Sequence, residues 1–368
     1  MRVLLAPDSF KGSIGAAQAA AALAQGWLAG RPGDEVTCLP LADGGEGTLE
    51  VVAAAAGPEA RWRQARVSGP GSETVDCPWL ELPDGTAVVE LARCAGLPLL
   101  AAPDPLGAHT AGLGEVVGHA LDAGAHAVII GLGGSASTDG GSGALAALGA
   151  RFLDEGGRPL PLGGGALAGL ASVDTSALRP LPAGGVTCLV DVRAPLLGPH
   201  GAAAVFGPQK GAGPVEVARL EAGLARLASL LGGDPGAAGA GAAGGTGYGL
   251  AAGLGAALAP GAPELCRLTG LDRRLAEADL VVTGEGRFDA TSLDGKVTGT
   301  VIAAAAAANV PCALVAGRVA GQPPVPAVVL ADLAGSPAPA LADPRRWLLV
   351  AGRHLATGLA QTIRADAL

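Results

Sequence analysis

The sequence predicts an α/β protein of two domains, a parallel-sheet domain formed by both chain ends and a mixed-sheet α/β domain inserted between them. Three observations predict it. The chain has 368 residues, too many for one ordinary core. Strand, glycine-punctuated turn and helix recur in that order at both ends, the rhythm of parallel βα units. Between them the pattern shifts to short strands around Pro-Gly and Asp-Gly turns, which suits antiparallel pairing.

Residues 3–6 read as a short buried strand. Ser13 is placed to cap an alanine-rich helix, 14–28, that should end near Gly30 and Pro32. A second strand, 36–41, enters the turn Ala42-Asp43-Gly44-Gly45-Glu46-Gly47-Thr48, and a helix follows. Short strands are expected over 66–75, 77–82 and 86–91. A helix over 112–123, a strand over 127–131, a glycine-rich loop over 131–143 and a strand over 186–192 come next. Residues 232–247, rich in Gly and Ala around Asp234-Pro235, have the composition of a flexible linker, and equally of a tight loop of small residues around a ligand. From 279 the βα rhythm returns, with strands 280–283, 311–315 and 327–330, a helix 298–308 and a final helix.

Two βα units in front and three behind give a five-stranded parallel sheet. The terminal domain is expected over 1–66 plus 279–368 and the insertion over 67–278. Ligands of open sheets bind beyond the carboxyl ends of the strands. The cleft between the two domains is therefore the expected active site.

Composition narrows the function. Hydrophobic content is 49%, much of it alanine, and aromatics are only 2%. The cores must be built from Ala, Val, Leu and Ile, with helices packed closely on sheets. Net charge is −9 and no basic stripe occurs, which argues against a nucleic-acid partner. The six cysteines show neither a CxxC pair nor metal-ligand spacing, and read as small buried hydrophobes of a reducing cytosol. The apolar stretch at the start is too short for a signal peptide, and the run 301–308 is far short of a bilayer span. The expectation is a soluble, cytoplasmic protein with no membrane partner.

Only three lysines occur, Lys11, Lys210 and Lys296, against twenty-one arginines, and each stands beside a glycine. A compact, mobile ammonium next to open backbone is not equivalent at a phosphate to a rigid guanidinium fork. The loop 131–141 adds donors of the same kind. Gly133 and Gly134 leave amides unobstructed, and Ser135, Ser137 and Thr138 bring hydroxyls ahead of Asp139. The same loop holds a degenerate dinucleotide fingerprint, Gly131-x-Gly133-x-x-Ala136, with Asp154 where a ribose-binding acid could stand. That leaves a dinucleotide-dependent oxidoreductase as an alternative. No Walker A sequence is present, because Gly295-Lys296 is followed by Val297.

Carboxylates gather at the strand ends. Asp8-Ser9-Phe10-Lys11 and Asp43 to Glu46 put acids and a base at adjacent positions, as transfer of a phosphoryl group to a hydroxyl requires. Asp191 ends an apolar strand, where a carboxylate has little structural reason to be. Glu285, Arg287, Asp289 and Lys296 crowd one strand-end loop that could take a triphosphate with magnesium. The five histidines have no partner motif.

Together these blocks resemble the class I, bacterial-type glycerate kinase family. The matching stretches are Ala6 to Ser13, Ala42 to Thr48, residues 131–141, Asp191 to Leu196, Val205 to Ala212, and Thr283 to Gly286 through Gly295-Lys296. In order and spacing they cover nearly the whole chain to about residue 317. The resemblance implies a flavodoxin-like domain plus a mixed-sheet insertion. It implies ATP-dependent phosphorylation of D-glycerate with Mg²⁺, 2-phosphoglycerate being the favoured product. Under it, Asp8, Lys11, Asp43 and Asp191 are expected in catalysis, and Ser9, Glu46, Arg193 and Lys210 on the substrate. Gly133, Gly134, Ser135, Asp139, Glu285, Asp289 and Lys296 are expected on the nucleotide, and Asp191 and Glu285 on the metal. A homodimer is compatible with this reading. Three positions depart from the family pattern, which usually has Asn at Thr138, Asn at Ala194 and Gln at Thr291. Each departure loses an amide side chain, which leaves a non-catalytic binder of a small phosphorylated acid as a further alternative.

Overall fold

The structure is a computed structural model that describes residues 1–365, with side chains through Gly358. In chain order its strands are β1 (Arg2–Pro7), β2 (Glu35–Cys38), β3 (Arg61–Ser68), β4 (Thr74–Glu81), β5 (Thr86–Glu90), β6 (Ala127–Gly131), β7 (Arg151–Leu153), β8 (Ser172–Asp174), β9 (Val186–Val190), β10 (Ala257–Pro260), β11 (Leu280–Phe288), β12 (Cys312–Val319) and β13 (Ala327–Val329). They fall in two compact units. The first comprises Met1–Asp43, Glu50–Ala55 and Gly261–Leu368, the second Gly44–Leu49 and Ala56–Pro260.

The first unit is built on the expected five-stranded sheet, in the order β13-β12-β11-β1-β2, with every pairing parallel. Counted within the unit this is the 2-1-3-4-5 order of flavodoxin-like sheets, and the order reverses between β1 and β11. β1 is apolar on both faces because both faces are covered. Val3 and Leu5 pack with Leu23 and Trp27 of the helix Ala16–Gly30 and with Leu348 and Leu355 of the helix Pro344–Ala365. Leu4 and Ala6, on the opposite face, pack with Val297 and Val301. The two long helices approach backbone to backbone. A Cβ on Gly26 would lie 2.0 Å from the Leu349 carbonyl oxygen, and one on Gly352 would lie 2.3 Å from that of Leu23. Small residues thus do the close packing that a core poor in aromatics needs.

Ser13 does not cap the first helix. The helix begins after Gly15 with no side-chain cap, and the Ser13 hydroxyl donates to the Phe10 carbonyl (2.7 Å). That bond closes a tight turn through Gly12, at φ 77°, and holds the segment just after β1.

The second unit carries a six-stranded sheet, β10-β9-β6-β5-β4-β3. β3, β4 and β5 pair antiparallel, and β5, β6, β9 and β10 pair parallel. The strand expected over 66–75 is the end of β3, a turn closed by the Gly69 amide on the Glu73 carbonyl, and the start of β4. β3 already starts at Arg61 and pairs with β4 along its whole length, so the second unit resumes at Ala56 rather than after 66. The helices Gly261–Leu268 and Leu271–Glu277 bury Ala262, Cys266, Leu271 and Leu275 against Leu4 and Val281. The first unit therefore resumes at Gly261 rather than at 279.

Residues 232–247 are not a linker. Ala240 and Ala242 are in the core, and the helix Ala242–Leu254 starts inside this stretch. Gly244 sits at φ 65°, and a Cβ there would come within 2.1 Å of the Ser137 carbonyl oxygen. The small residues let this segment press directly on the loop that follows β6.

Candidate active site

Each unit has its own pocket at the carboxyl ends of its parallel strands. In the first unit a cavity of about 290 Å³ opens where the strand order reverses. The Asp8 amide donates to the Gly284 carbonyl (2.8 Å), which fixes the end of β1 beside β11. Asp8 is buried, and its Oδ1 accepts from the Ser9 amide (2.6 Å). Burial pushes its carboxyl from 3.8 up to about 7, with Asp43 adding to the rise, Lys11 pulling back and Glu285 adding again. Asp43 is buried too, and its Oδ2 accepts from Lys11 Nζ (2.8 Å), whose side chain is 68% exposed. The Lys11 ammonium is thus tethered at one end yet reachable by a ligand.

Glu285 stands near the middle of β11 and is buried, and that burial raises its carboxyl. Ser292, Thr298 and Lys296 oppose that rise, but Oε1 is buried without a hydrogen bond among the described residues. Asp289 caps the turn Ala290–Leu293. It accepts from the Thr291 amide (3.0 Å) and hydroxyl (2.6 Å), which hold its carboxyl below the usual range, and it pairs with Arg287 at 3.3 Å. Lys296 Nζ donates to the Thr291 hydroxyl (2.9 Å). Thr291 therefore links an acid and a cation in the place where the family usually has Gln. Asp8, Ser9, Lys11, Asp43, Glu285, Asp289 and Lys296 all line this one pocket.

The second unit's pocket, about 420 Å³, lies past β6 and β9. Glu46, Gly133, Gly134, Ser135, Asp191 and Lys210 line it. Lys210 is 2% exposed, and its Nζ donates to the Ser135 hydroxyl (2.7 Å) and the Ser137 carbonyl (2.5 Å). Burial lowers its ammonium from 10.5 to about 7, against a weaker upward pull from Asp139. Both acids of this pocket are exposed, Glu46 beside Gly134 and Asp191 just beyond the end of β9. Asp43 and Glu46, three residues apart, line one pocket each.

Three anticipated residues stand elsewhere. Asp139 is fully buried and lines neither pocket. Its carboxylate accepts from the amide (2.9 Å) and hydroxyl (2.8 Å) of Thr110 and from the amides of Gly141 and Gly143 (both 3.2 Å). It anchors the loop that presents Ser135 rather than facing a ligand. Arg193 is exposed and lines neither pocket. Asp154 sits in a surface turn, where it accepts from the amides of Gly156 (2.8 Å) and Arg158 (2.9 Å) and pairs with the Arg158 guanidinium at 2.9 Å. The acid expected where a dinucleotide's ribose would bind is thus committed to its own turn.

Among the described residues no group of three or more His, Cys, Asp and Glu is arranged to hold a metal by itself. Magnesium in phosphoryl transfer needs only one or two carboxylates and completes its shell with phosphate oxygens and water. The unsatisfied Oε1 of Glu285 fits that demand.

The model of the glycerate kinase family matches residues 3–354. The chain belongs to the glycerate kinase family. A glycerate kinase of Bacillus subtilis is 41% identical over 87% of this chain and 85% of that protein, and the glycerate 2-kinase of Escherichia coli is 40% identical over 81% and 80%. A crystal structure of a protein provisionally named glycerate kinase 2 from Salmonella typhimurium LT2 superposes with a TM-score of 0.84 at 37% identity, covering all of both chains. Among the described residues no helix is long and apolar enough to cross a membrane.

Within this family member, sequence reasoning passed over part of the first pocket. Arg318 lines it, as do Leu330, Pro337, Ala340, Leu341 and Pro344. Arg318 did leave a signal. Gly286-Arg287 and Gly317-Arg318 repeat the same pair late in neighbouring strands, and Arg287 and Arg318 stand in register. The apolar residues left none, since nothing in 330–344 distinguishes a pocket wall from ordinary packing.

Proposed function

We propose that this protein transfers the γ-phosphoryl group of ATP to a hydroxyl of D-glycerate, with Mg²⁺, giving ADP and phosphoglycerate, the 2-phosphate by preference. The observation that carries the assignment of ligands is the charge inventory of the two pockets. The second pocket has a single cation, the buried Lys210, which suits the single carboxylate of glycerate. Its acids, Glu46 and Asp191, suit the two hydroxyls as hydrogen-bond acceptors. The first pocket has Lys11, Arg287, Lys296 and Arg318, as a polyphosphate requires, with carboxylates among them for the metal. Mg²⁺ held by Glu285, whose Oε1 is unsatisfied among the described residues, would neutralise phosphate charge there. This gives Gly133, Gly134 and Ser135 to the acid substrate rather than to the nucleotide.

In the transfer the hydroxyl oxygen bonds to the γ-phosphorus, the bond to the ADP oxygen breaks, and the hydroxyl proton passes to a carboxylate. Asp8 is suited to accept it, because burial brings its proton affinity close to neutrality. Lys11, salt-bridged to Asp43 yet exposed, would stabilise the phosphoryl charge. The reading also includes work in the cytoplasm, consistent with six cysteines that are all free thiols. Coupled measurement of ADP release with D-glycerate, ATP and Mg²⁺ tests it, and phosphorus NMR of the product fixes the hydroxyl used. Glycerate-dependent ADP formation is expected. Well-folded protein that forms none would refute the reading.

A further inference from the structure

We propose that the apolar wall of the first pocket is the seat of the nucleotide's base and ribose, an inference that rests on the kinase reading of that pocket. The cavity has two chemically different sides. One carries Asp8, Lys11, Asp43, Glu285 and Lys296. The other is made by Leu330, Pro337, Ala340, Leu341 and Pro344, from the short helices Leu330–Leu333 and Pro337–Ala342 and the start of the helix Pro344–Ala365.

Glycerate has an oxygen on each of its three carbons and no apolar face, so it gains nothing from such a wall. A nucleotide has both faces, anionic at the phosphates and apolar at the base. The volume of about 290 Å³ is at the lower end of small-ligand pockets.

Two features mark the wall as a binding surface. Leu341 is 55% exposed, although Leu330 and Ala340 beside it in the lining are buried. A ligand seated on this wall would take the exposed Leu341 side chain out of water. Prolines 337, 339 and 344 also fix the backbone around Leu341, so little freedom is lost on binding. Arg318 reaches the same cavity, and its flat guanidinium can lie on an aromatic ring as an ammonium cannot.

The test is calorimetric binding to the full chain of three probes, ADP, adenosine and inorganic tripolyphosphate, for wild type and Leu341→Asn. The position is exposed and the change adds no charge, so the thermal midpoint should hold. ADP and adenosine should bind about fivefold to tenfold more weakly in the variant, while tripolyphosphate and the KM for D-glycerate stay within about twofold. Unchanged ADP and adenosine affinity would overturn the proposal, as would an equal loss for tripolyphosphate. The kinase reading fails separately. A wild type that makes no ADP from ATP and glycerate, yet binds adenosine through Leu341, would keep the base seat and lose the kinase. An active kinase whose ADP affinity ignores Leu341 would do the reverse.

Discussion

The two pockets use one physical device with opposite sign. In the first unit, burial takes a carboxyl that normally titrates near 3.8 up to about 7. In the second, burial takes an ammonium that normally titrates near 10.5 down to about 7. Both shifts arise because a low-dielectric site disfavours charge, whatever its sign. The surroundings differ. Asp8 has acids and cations around it, and Asp43 pushes its carboxyl further up while Lys11 restrains it. Lys210 has two neutral oxygens at its Nζ and a distant pull from Asp139. On the proposed function, the first pocket would exchange a proton and the second would hold one anion. A charged ligand arriving at Lys210 would restore the ammonium and be gripped by it.

The largest expected effect breaks this pairing outright. Asp8→Asn removes the proposed proton acceptor, and should lower kcat about a hundredfold to a thousandfold with the KM for glycerate little moved. Lys210→Met should act on the other parameter, lowering kcat/KM for glycerate about a hundredfold while the KM for ATP stays nearly fixed. Initial rates with each substrate varied at saturation of the other separate the two. If both variants damaged the same parameter equally, the division of ligands between the pockets would be wrong.

A smaller effect sharpens the comparison through pH. With glycerate saturating, kcat/KM for ATP should climb through about pH 7 as Asp8 ionises, and Asp8→Asn should flatten that limb. With Mg·ATP saturating, kcat/KM for glycerate should fall above about pH 7 as Lys210 loses its proton, and Lys210→Met should flatten that one. Stability has the signs that linkage dictates. Between about pH 4 and 7 the folded protein keeps the Asp8 proton that the unfolded chain has released, so this group's stabilising contribution is lost as pH rises. Above about pH 7 the folded protein has released the Lys210 proton that the unfolded chain keeps up to about 10.5, so this contribution grows as pH rises. Denaturant midpoints of the two variants against wild type, followed with pH, should therefore diverge in opposite directions. Parallel curves would reject one of the two assignments.

Much of the fold was legible because it follows from local period. Both faces of β1 are covered, so residues 3–6 show as an unbroken apolar run. β6, buried on the same terms, was read at 127–131, the bounds it has in the structure. The βα rhythm of the ends yields the five-stranded sheet, and a sheet of that kind places ligands at its carboxyl edge. What escaped depends on partners far along the chain. Asp139 stands in a loop that looks built for anions, but Thr110, twenty-nine residues earlier, turns its carboxylate inward. Residues 232–247 read equally well as a linker or as a tight loop around a ligand, since composition cannot show that the Ser137 carbonyl lies where a Cβ on Gly244 would go. The wall around Leu341 carries no charge or glycine signal, and becomes visible only when the last helices are laid beside β11 and β12.

The smallest expected effect concerns the glycine loop shared by both enzyme readings. In a dinucleotide enzyme the acid after such a loop holds a ribose hydroxyl, and its loss costs cofactor binding. Asp154 is instead committed to its own turn, through two amides and Arg158. Asp154→Ala should leave both KM values within about twofold and the thermal midpoint nearly unchanged, as for an exposed turn and ion pair. NAD(P)H titration followed by nicotinamide fluorescence should show no saturable binding in wild type or variant. Saturable binding lost on removing Asp154 would move the loop to a dinucleotide and leave Lys210 without its proposed ligand. The contrast between the pockets would then need a different chemistry, because a nicotinamide phosphate, not a small acid, would be the anion that recharges the buried ammonium.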